Sequence, residues 1–241
     1  MSLAAELLGL VFPPACAACA ALLEVETPFC TLCMLATEPV PLPGCRRCAE
    51  PVEQPGACPR CLRAPPPFRS AHAAFVHTGP LARAIHRFKY EGRSELALPL
   101  ARALATEARA WLDALGRHAV LVPVPLHRGR LLRRGYDQAG LLTRALARET
   151  GLSHAPALLR VRATRRQVGL TEAERTENVH GAFATRGPMP AGPIVLVDDV
   201  FTTGATVRAA SAALREAGGR WVYVLTLARA VGEANPGRFG L

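Results

Sequence analysis

The chain has 241 residues and a mass of 25.7 kDa, room for one medium domain and a small one but not for two full-sized domains. Half of the residues are hydrophobic and the mean hydropathy is +0.16, which excludes disorder as the main state, while no apolar run approaches the roughly 18 residues of a membrane-spanning helix. A formal net charge of +10 points to an anionic partner, whether nucleic acid, a phosphorylated small molecule or a membrane surface. Residues 1–70 hold five Arg against six Glu, so their net charge is −1 and the remainder of the chain carries +11. Of the 29 basic residues only Lys89 is a lysine, a bias that GC-rich coding explains.

Taken in chain order, Met1 to Phe12 is apolar but contains Glu6 and has no basic start, so it reads as a short capping or docking helix and not as a signal peptide. All eight cysteines follow, as four C-x-x-C pairs: Cys16/Cys19, Cys30/Cys33, Cys45/Cys48 and Cys58/Cys61. A C-x-x-C turn aims two thiolates at one centre, and two such turns complete a tetrahedral S₄ shell for Zn²⁺. Disulfides fit poorly with a chain expected in the reducing cytoplasm, and a redox pair would be a single C-x-x-C on a βαβ unit. The segment is rich in Pro and poor in aliphatic residues, so metal supplies much of its stability. Sequential pairing, Cys16/Cys19/Cys30/Cys33 with Cys45/Cys48/Cys58/Cys61, and cross-braced pairing both satisfy the geometry; sequential pairing is mildly preferred. Residues 62–69, with three consecutive prolines, form a stiff connector. The domain boundary is placed there: a zinc-binding domain over 1–66 and an α/β domain over 67–241.

The second part alternates strands and helices. Strands are expected at 71–77, 119–124, 194–197 and 221–228, and helices at 80–90, 96–115, 136–150 and 205–217. Strands separated by helices imply a mainly parallel sheet with helices on both faces, in which ligands bind beyond the carboxyl ends of the strands. Residues 194–206 run from an apolar strand through Asp198 and Asp199 into Thr202-Thr203-Gly204-Ala205-Thr206 and a helix. Carboxylates at a strand end accept hydrogen bonds from ribose hydroxyls. A Thr/Gly turn at a helix N-terminus offers amides and hydroxyls to a phosphate. An ordinary Asp-Asp turn with a Thr cap is the bland reading, and the whole string in this context argues against it. Neither a Rossmann nor a Walker glycine pattern occurs.

The string resembles the PRPP-binding motif of the type I phosphoribosyltransferases. That resemblance implies that Asp198 and Asp199 hold ribose hydroxyls, that Thr202, Thr203, Gly204, Ala205 and Thr206 cradle the 5′-phosphate, and that PRPP is bound with Mg²⁺. It implies a pyrophosphate loop after the 119–124 strand, at Val124, Pro125, His127 and Arg128, in a stretch with five Arg and no acid between 117 and 135. It also implies a closing hood loop over the segment that begins at Arg160 and contains Arg165, Arg166 and Gln167.

With Arg-Phe-Lys-Tyr-x-Gly at 87–92, Pro-Val-Pro-Leu at 123–126, Arg-Arg-Gly-Tyr-Asp-Gln-Ala at 133–139 and Asn-Val-x-Gly-Ala-Phe at 178–183, residues 10–230 resemble the ComF (competence protein F) family. Asp137 stands where that family often has Asn. The resemblance implies a zinc finger joined to a phosphoribosyltransferase-like domain, and action in DNA uptake during natural transformation. The implied location is the cytoplasm, with peripheral association at the inner face of the membrane and no integral membrane segment. A DNA-uptake helicase or channel protein is the partner implied for the zinc domain. Single-stranded DNA is the expected macromolecular ligand, with Arg130, Arg133 and Arg134 on its phosphates and Phe88, Tyr90, Tyr136 or Phe201 as stacking candidates. The competing expectation is an active phosphoribosyltransferase that uses PRPP and Mg²⁺ on an unidentified acceptor. No N-terminal Cys nucleophile is present, which excludes a glutaminase half.

Overall fold

The structure is a computed structural model and describes residues 14–25, 27–163, 178–179 and 181–231. The expected helix at 1–12 lies outside the described residues. The Cys-rich part contributes two single-turn helices, α1 (Thr31–Leu35) and α2 (Pro59–Arg63), each opening directly after the first cysteine of a C-x-x-C pair, Cys30 and Cys58. Then follow β1 (Ala71–Val76), α3 (Gly79–Tyr90), α4 (Ala97–Glu107), α5 (Arg109–Leu115) and β2 (Val120–Pro123). Next come α6 (Arg128–Arg134), α7 (Gln138–Thr150), β3 (Ser153–His154), β4 (Leu158–Arg160) and β5 (Phe183–Thr185). The chain closes with β6 (Ile194–Phe201), α8 (Ala205–Glu216) and β7 (Val222–Arg229).

Five strands form a parallel sheet in the order β1-β7-β6-β2-β3, and β4 pairs antiparallel with β5. This is the expected α/β architecture, a mainly parallel sheet flanked by helices and preceded by a small Cys-rich domain. The expected 96–115 helix is two helices that meet at Ala108, and β6 runs four residues further than the apolar pattern suggested. Helix α6 occupies a stretch expected to be a loop.

Central strands buried on both faces read as apolar runs, and β6 does so over Ile194–Val197 and β7 over Val222–Leu225. Val195 and Val197 join one core with Leu81, Ile85 and Phe88 of α3, Leu100 and Leu104 of α4 and Leu142 and Leu146 of α7. Ile194 and Leu196 face the other core, with Val207, Ala210 and Leu214 of α8. The helices after β2 and after β6 thus cover opposite faces. Where adjacent parallel strands send their helices to opposite sides, a crevice opens at their carboxyl ends. That crevice lies between β2 and β6.

The Cys-rich part clasps the β1 edge of this sheet. Between its two halves, Val40 donates to Ala74 O at 3.1 Å, Val76 donates to Glu38 O at 2.8 Å, and Pro39 bridges Phe75. An edge strand with open amides invites aggregation, and this pairing covers it. The connector is packed as well: Phe68 is buried and the Arg69 amide donates to Val222 O at 2.7 Å. Among the described residues no helix is long and apolar enough to cross a membrane.

Candidate functional site

Two sulfur centres and one cavity stand out. Cys16, Cys19, Cys30 and Cys33 form one cluster, and Cys45, Cys48, Cys58 and Cys61 the other; within each, the sulfurs all lie within 4.8 Å of one another. The pairing is therefore sequential. Cys19 and Cys30 Sγ are 3.8 Å apart, Cys48 and Cys58 Sγ 3.7 Å. A tetrahedron with Zn–S bonds near 2.3 Å has S···S edges of about 3.8 Å, so the donor set fits Zn²⁺. Against the upward push of burial, the amides of Cys19, Cys30 and Ala18 hold the Cys16 thiol down to about 6, and those of Cys58, Cys48 and Arg47 hold Cys45 down to about 7. Burial and the neighbouring thiols push Cys33 up to about 12. A divalent cation is what lets four thiolates share one centre.

The cavity encloses about 650 Å³ in the crevice between β2 and β6. Asp198 and Asp199 lie at its centre, where β6 outruns Pro123, the last residue of β2. The Asp199 amide donates to Asp198 Oδ1 at 2.9 Å, and Lys89 Nζ from the end of α3 meets Asp199 Oδ1 at 2.8 Å. Burial, together with the adjacent Asp199 charge, pushes the Asp198 carboxyl up to about 7; Lys89, the Asp199 amide and Arg160 pull the other way.

Beyond the carboxylates the chain turns through Thr202–Gly204 into α8. Gly204 takes φ 81°, a left-handed conformation, and a Cβ there would stand 2.6 Å from the Phe201 ring. Glycine is thus required twice over. Thr203 Oγ1 accepts from the Ala205 amide at 3.4 Å. Thr202, Gly204 and Thr206 line the cavity, whereas Thr203 and Ala205 do not. The wall opposite contains Val124, Pro125, Arg130, Arg133 and Arg134. His127 and Arg128 stand off it. His127 caps α6, its Nδ1 accepting from the Gly129 amide at 3.2 Å. Arg165, Arg166 and Gln167 lie outside the described residues.

Of four further groups of the cavity, three were not singled out as site residues from sequence, while Arg160 was expected to open the hood loop and instead ends strand β4. Lys89 is one, and its signal was available: it is the single lysine of an arginine-rich chain and sits inside the Arg-Phe-Lys-Tyr-x-Gly string. Arg160 of β4 is another, 8% exposed, its guanidinium 5.2 Å over the Phe183 ring; burial, then Arg130, lowers its pKa to about 10. Asp137 and Gln138 complete the set at the start of α7. Burial raises the Asp137 pKa, against the pull of the Gly140 and Ala139 amides. Of the stacking candidates only Tyr90 is open, 52% exposed with Arg134 4.8 Å over its ring. Phe88 and Phe201 are buried, and Tyr136 donates its hydroxyl to Phe88 O at 2.6 Å.

Residues 7–62 match the double zinc ribbon domain family. The chain is 36% identical to the DNA utilization protein YhgH of Salmonella typhimurium over 189 residues, 77% of this chain and 83% of that protein. It is 33% identical over 198 residues to competence protein F of Haemophilus influenzae, covering 78% and 85% of the two. The chain belongs to the ComF family. A more distant ComF relative, competence protein ComFC of Bacillus subtilis, is 28% identical over 207 residues, 82% of each chain. The ComF match therefore extends across both the zinc ribbon and the sheet that carries the cavity.

Proposed function

We propose that this protein acts in DNA uptake during natural transformation, holding a 5-phosphoribosyl compound in the β2/β6 cavity and single-stranded DNA on the arginines around it. The printed names of its relatives, competence protein F and DNA utilization protein, support the process. The chemistry is supported by the meeting, in one cavity, of paired carboxylates, a glycine-hinged helix N-terminus and a wall of arginines.

In this reading Asp198 and Asp199 accept hydrogen bonds from the ribose hydroxyls. The amides and hydroxyls of the 202–206 turn hold the 5′-phosphate. Arg130, Arg133 and Arg134 face the pyrophosphate of PRPP or the next phosphates of a strand. Magnesium bound with PRPP supplies charge neutralisation next to the carboxylates. Lys89 pairs with Asp199 until the ligand arrives. Tyr90 with Arg134 offers a stacking surface that tolerates any base. The exposed Leu22, Leu32 and Leu35 of the zinc ribbon leave a face for a helicase or channel protein of the uptake apparatus, on the cytoplasmic side of the membrane.

Calorimetric titration with ribose 5-phosphate, and with PRPP plus Mg²⁺, tests the site. Asp198→Asn/Asp199→Asn is expected to weaken both by at least about tenfold, in keeping with hydrogen bonds to charged groups. Wild-type protein that binds neither ligand overturns the proposal. Release of pyrophosphate from PRPP in the presence of candidate acceptors separates a working transferase from a binding module.

A further inference from the structure

We infer that the second zinc knuckle fixes the phosphate-binding turn through Glu50, Arg229 and Phe201, which makes these three positioning residues for the ligand of the cavity; this rests on the 5-phosphoribosyl reading of that cavity. Arg229 is the last residue of β7 and is fully buried. Its Nη2 donates to Glu50 Oε2, and Glu50 follows the ligand Cys48 by two residues. Arg60, next to the ligand Cys61 on α2, reaches the same carboxylate at 3.7 Å. Glu50 is therefore held on the zinc side by the cysteine frame and grips the sheet through one buried guanidinium.

From Arg229 the contact passes to the turn. Its guanidinium stands 4.4 Å over the Phe201 ring. Phe201 is the register partner of Arg229, is 2% exposed, and meets Phe68 edge-on at 6.3 Å. The ring lies beneath Gly204, so closely that a Cβ would come within 2.6 Å of it. A shift of the ring thus moves the residue that opens α8 and presents the phosphate-binding amides. Behind the turn, Thr202 and Thr203 face a second cavity of about 450 Å³ shared with Glu50, Cys58, Pro59 and Arg60. On that side a cavity lies between the turn and the zinc knuckle, and the Glu50–Arg229–Phe201 stack joins the two by direct side-chain contact. Arg229 Nε and Nη1 have no hydrogen-bond partner among the described residues, which leaves Glu50 and the aromatic face to hold the charge. Buried ion pairs rarely add stability over an apolar substitute, and fixing one arrangement is their best-attested use.

The test uses Glu50→Gln and the double variant Glu50→Leu/Arg229→Met, which removes both charges together and so avoids a stranded buried guanidinium. Readouts are zinc content, amide exchange, and titration with ribose 5-phosphate and with inorganic pyrophosphate. Expected in the double variant are two equivalents of zinc, unchanged exchange in α7, and faster exchange of the 202–206 amides. Ribose 5-phosphate weakens by about tenfold, a usual size for coupled sites, while pyrophosphate stays within about twofold. Glu50→Gln moves the same readouts in the same direction by less. Unchanged turn exchange and ribose 5-phosphate affinity in the folded double variant overturn the inference, as does an equal loss of both ligands. If wild-type protein fails to bind ribose 5-phosphate, the cavity reading falls, and exchange at the turn alone decides whether the link exists.

Discussion

The two zinc knuckles share a four-cysteine ligand set and nearly the same spacing but not their surroundings. In the first, Cys19 is exposed and Cys30 half-buried, and the knuckle rests on the helical face of the sheet, where Arg87 Nη1 donates to Ala17 O at 2.8 Å. In the second, all four cysteines are buried and pack into the opposite core with Phe68, Phe201 and α8. The Cys58 amide donates to Cys45 Sγ at 3.2 Å, and the knuckle shares a cavity of about 450 Å³ with the turn that opens α8. One motif thus does two jobs according to what it is pressed against: the outer knuckle packs on the core of β1 and α3 and leaves leucines exposed, the inner one is part of the wall behind the site.

The largest expected effect is on that contrast itself. Cys58→Ser removes four-sulfur coordination from a buried centre, and apparent zinc-binding free energies of about 10–16 kcal/mol count directly toward folding. Zinc content should fall from two equivalents to one, with a sharp loss in thermal stability; Cys19→Ser should lose the same equivalent of zinc and markedly less stability. Equal losses would erase the distinction between the knuckles.

Next in size is the pH dependence of the cavity, which the outer knuckle should leave untouched. The Asp198 carboxyl titrates near 7 in the folded protein and near 3.8 unfolded, so the folded state binds the extra proton and loses stability as pH rises from about 4 to about 7. Asp198→Asn should therefore be more stable than wild type at pH 8 by roughly 1–3 kcal/mol, with the difference vanishing near pH 4. Urea unfolding at both pH values measures this, and a pH-independent difference would place the Asp198 charge elsewhere than in a desolvated pair.

The smallest effect concerns the phosphates outside the pocket. Arg133→Ala/Arg134→Ala should lower affinity for single-stranded oligonucleotides of any sequence and flatten the log–log salt slope by roughly 1.4, about 0.7 for each lost phosphate contact. Charge-neutral changes in the first knuckle should leave that slope unchanged. A slope unaffected by the arginine pair would remove it from the DNA path.

Much of this was legible in the residues. The four C-x-x-C pairs, the apolar strands and the Asp-Asp…Thr-Thr-Gly-Ala-Thr string are local patterns, and local geometry gives their placement: a turn of four residues aims two thiols, and a strand end followed by a helix start sets carboxylates beside a helix N-terminus. His127 was less legible, because an arginine-rich stretch reads as an open loop until its own cap closes α6. Arg229 gave no signal at all. It looks like one more surface arginine near the chain's end and is instead fully buried against a glutamate 179 positions away.

The positive charge has the same history. Composition assigned it to the part of the chain after residue 70, and the cavity gathers Arg130, Arg133, Arg134 and Arg160 around two carboxylates. The lone lysine, set aside as a matter of coding bias, lies against Asp199 at the centre. The sequence by itself determined which residues bind metal, which strand carries the carboxylates and which turn follows them, because those are short-range consequences of residue type and spacing. Only the tertiary structure decided how the cysteine pairs combine, on which face of the sheet each knuckle sits and which cations meet the acids. Those depend on contacts between residues tens to hundreds of positions apart, and no local period encodes them.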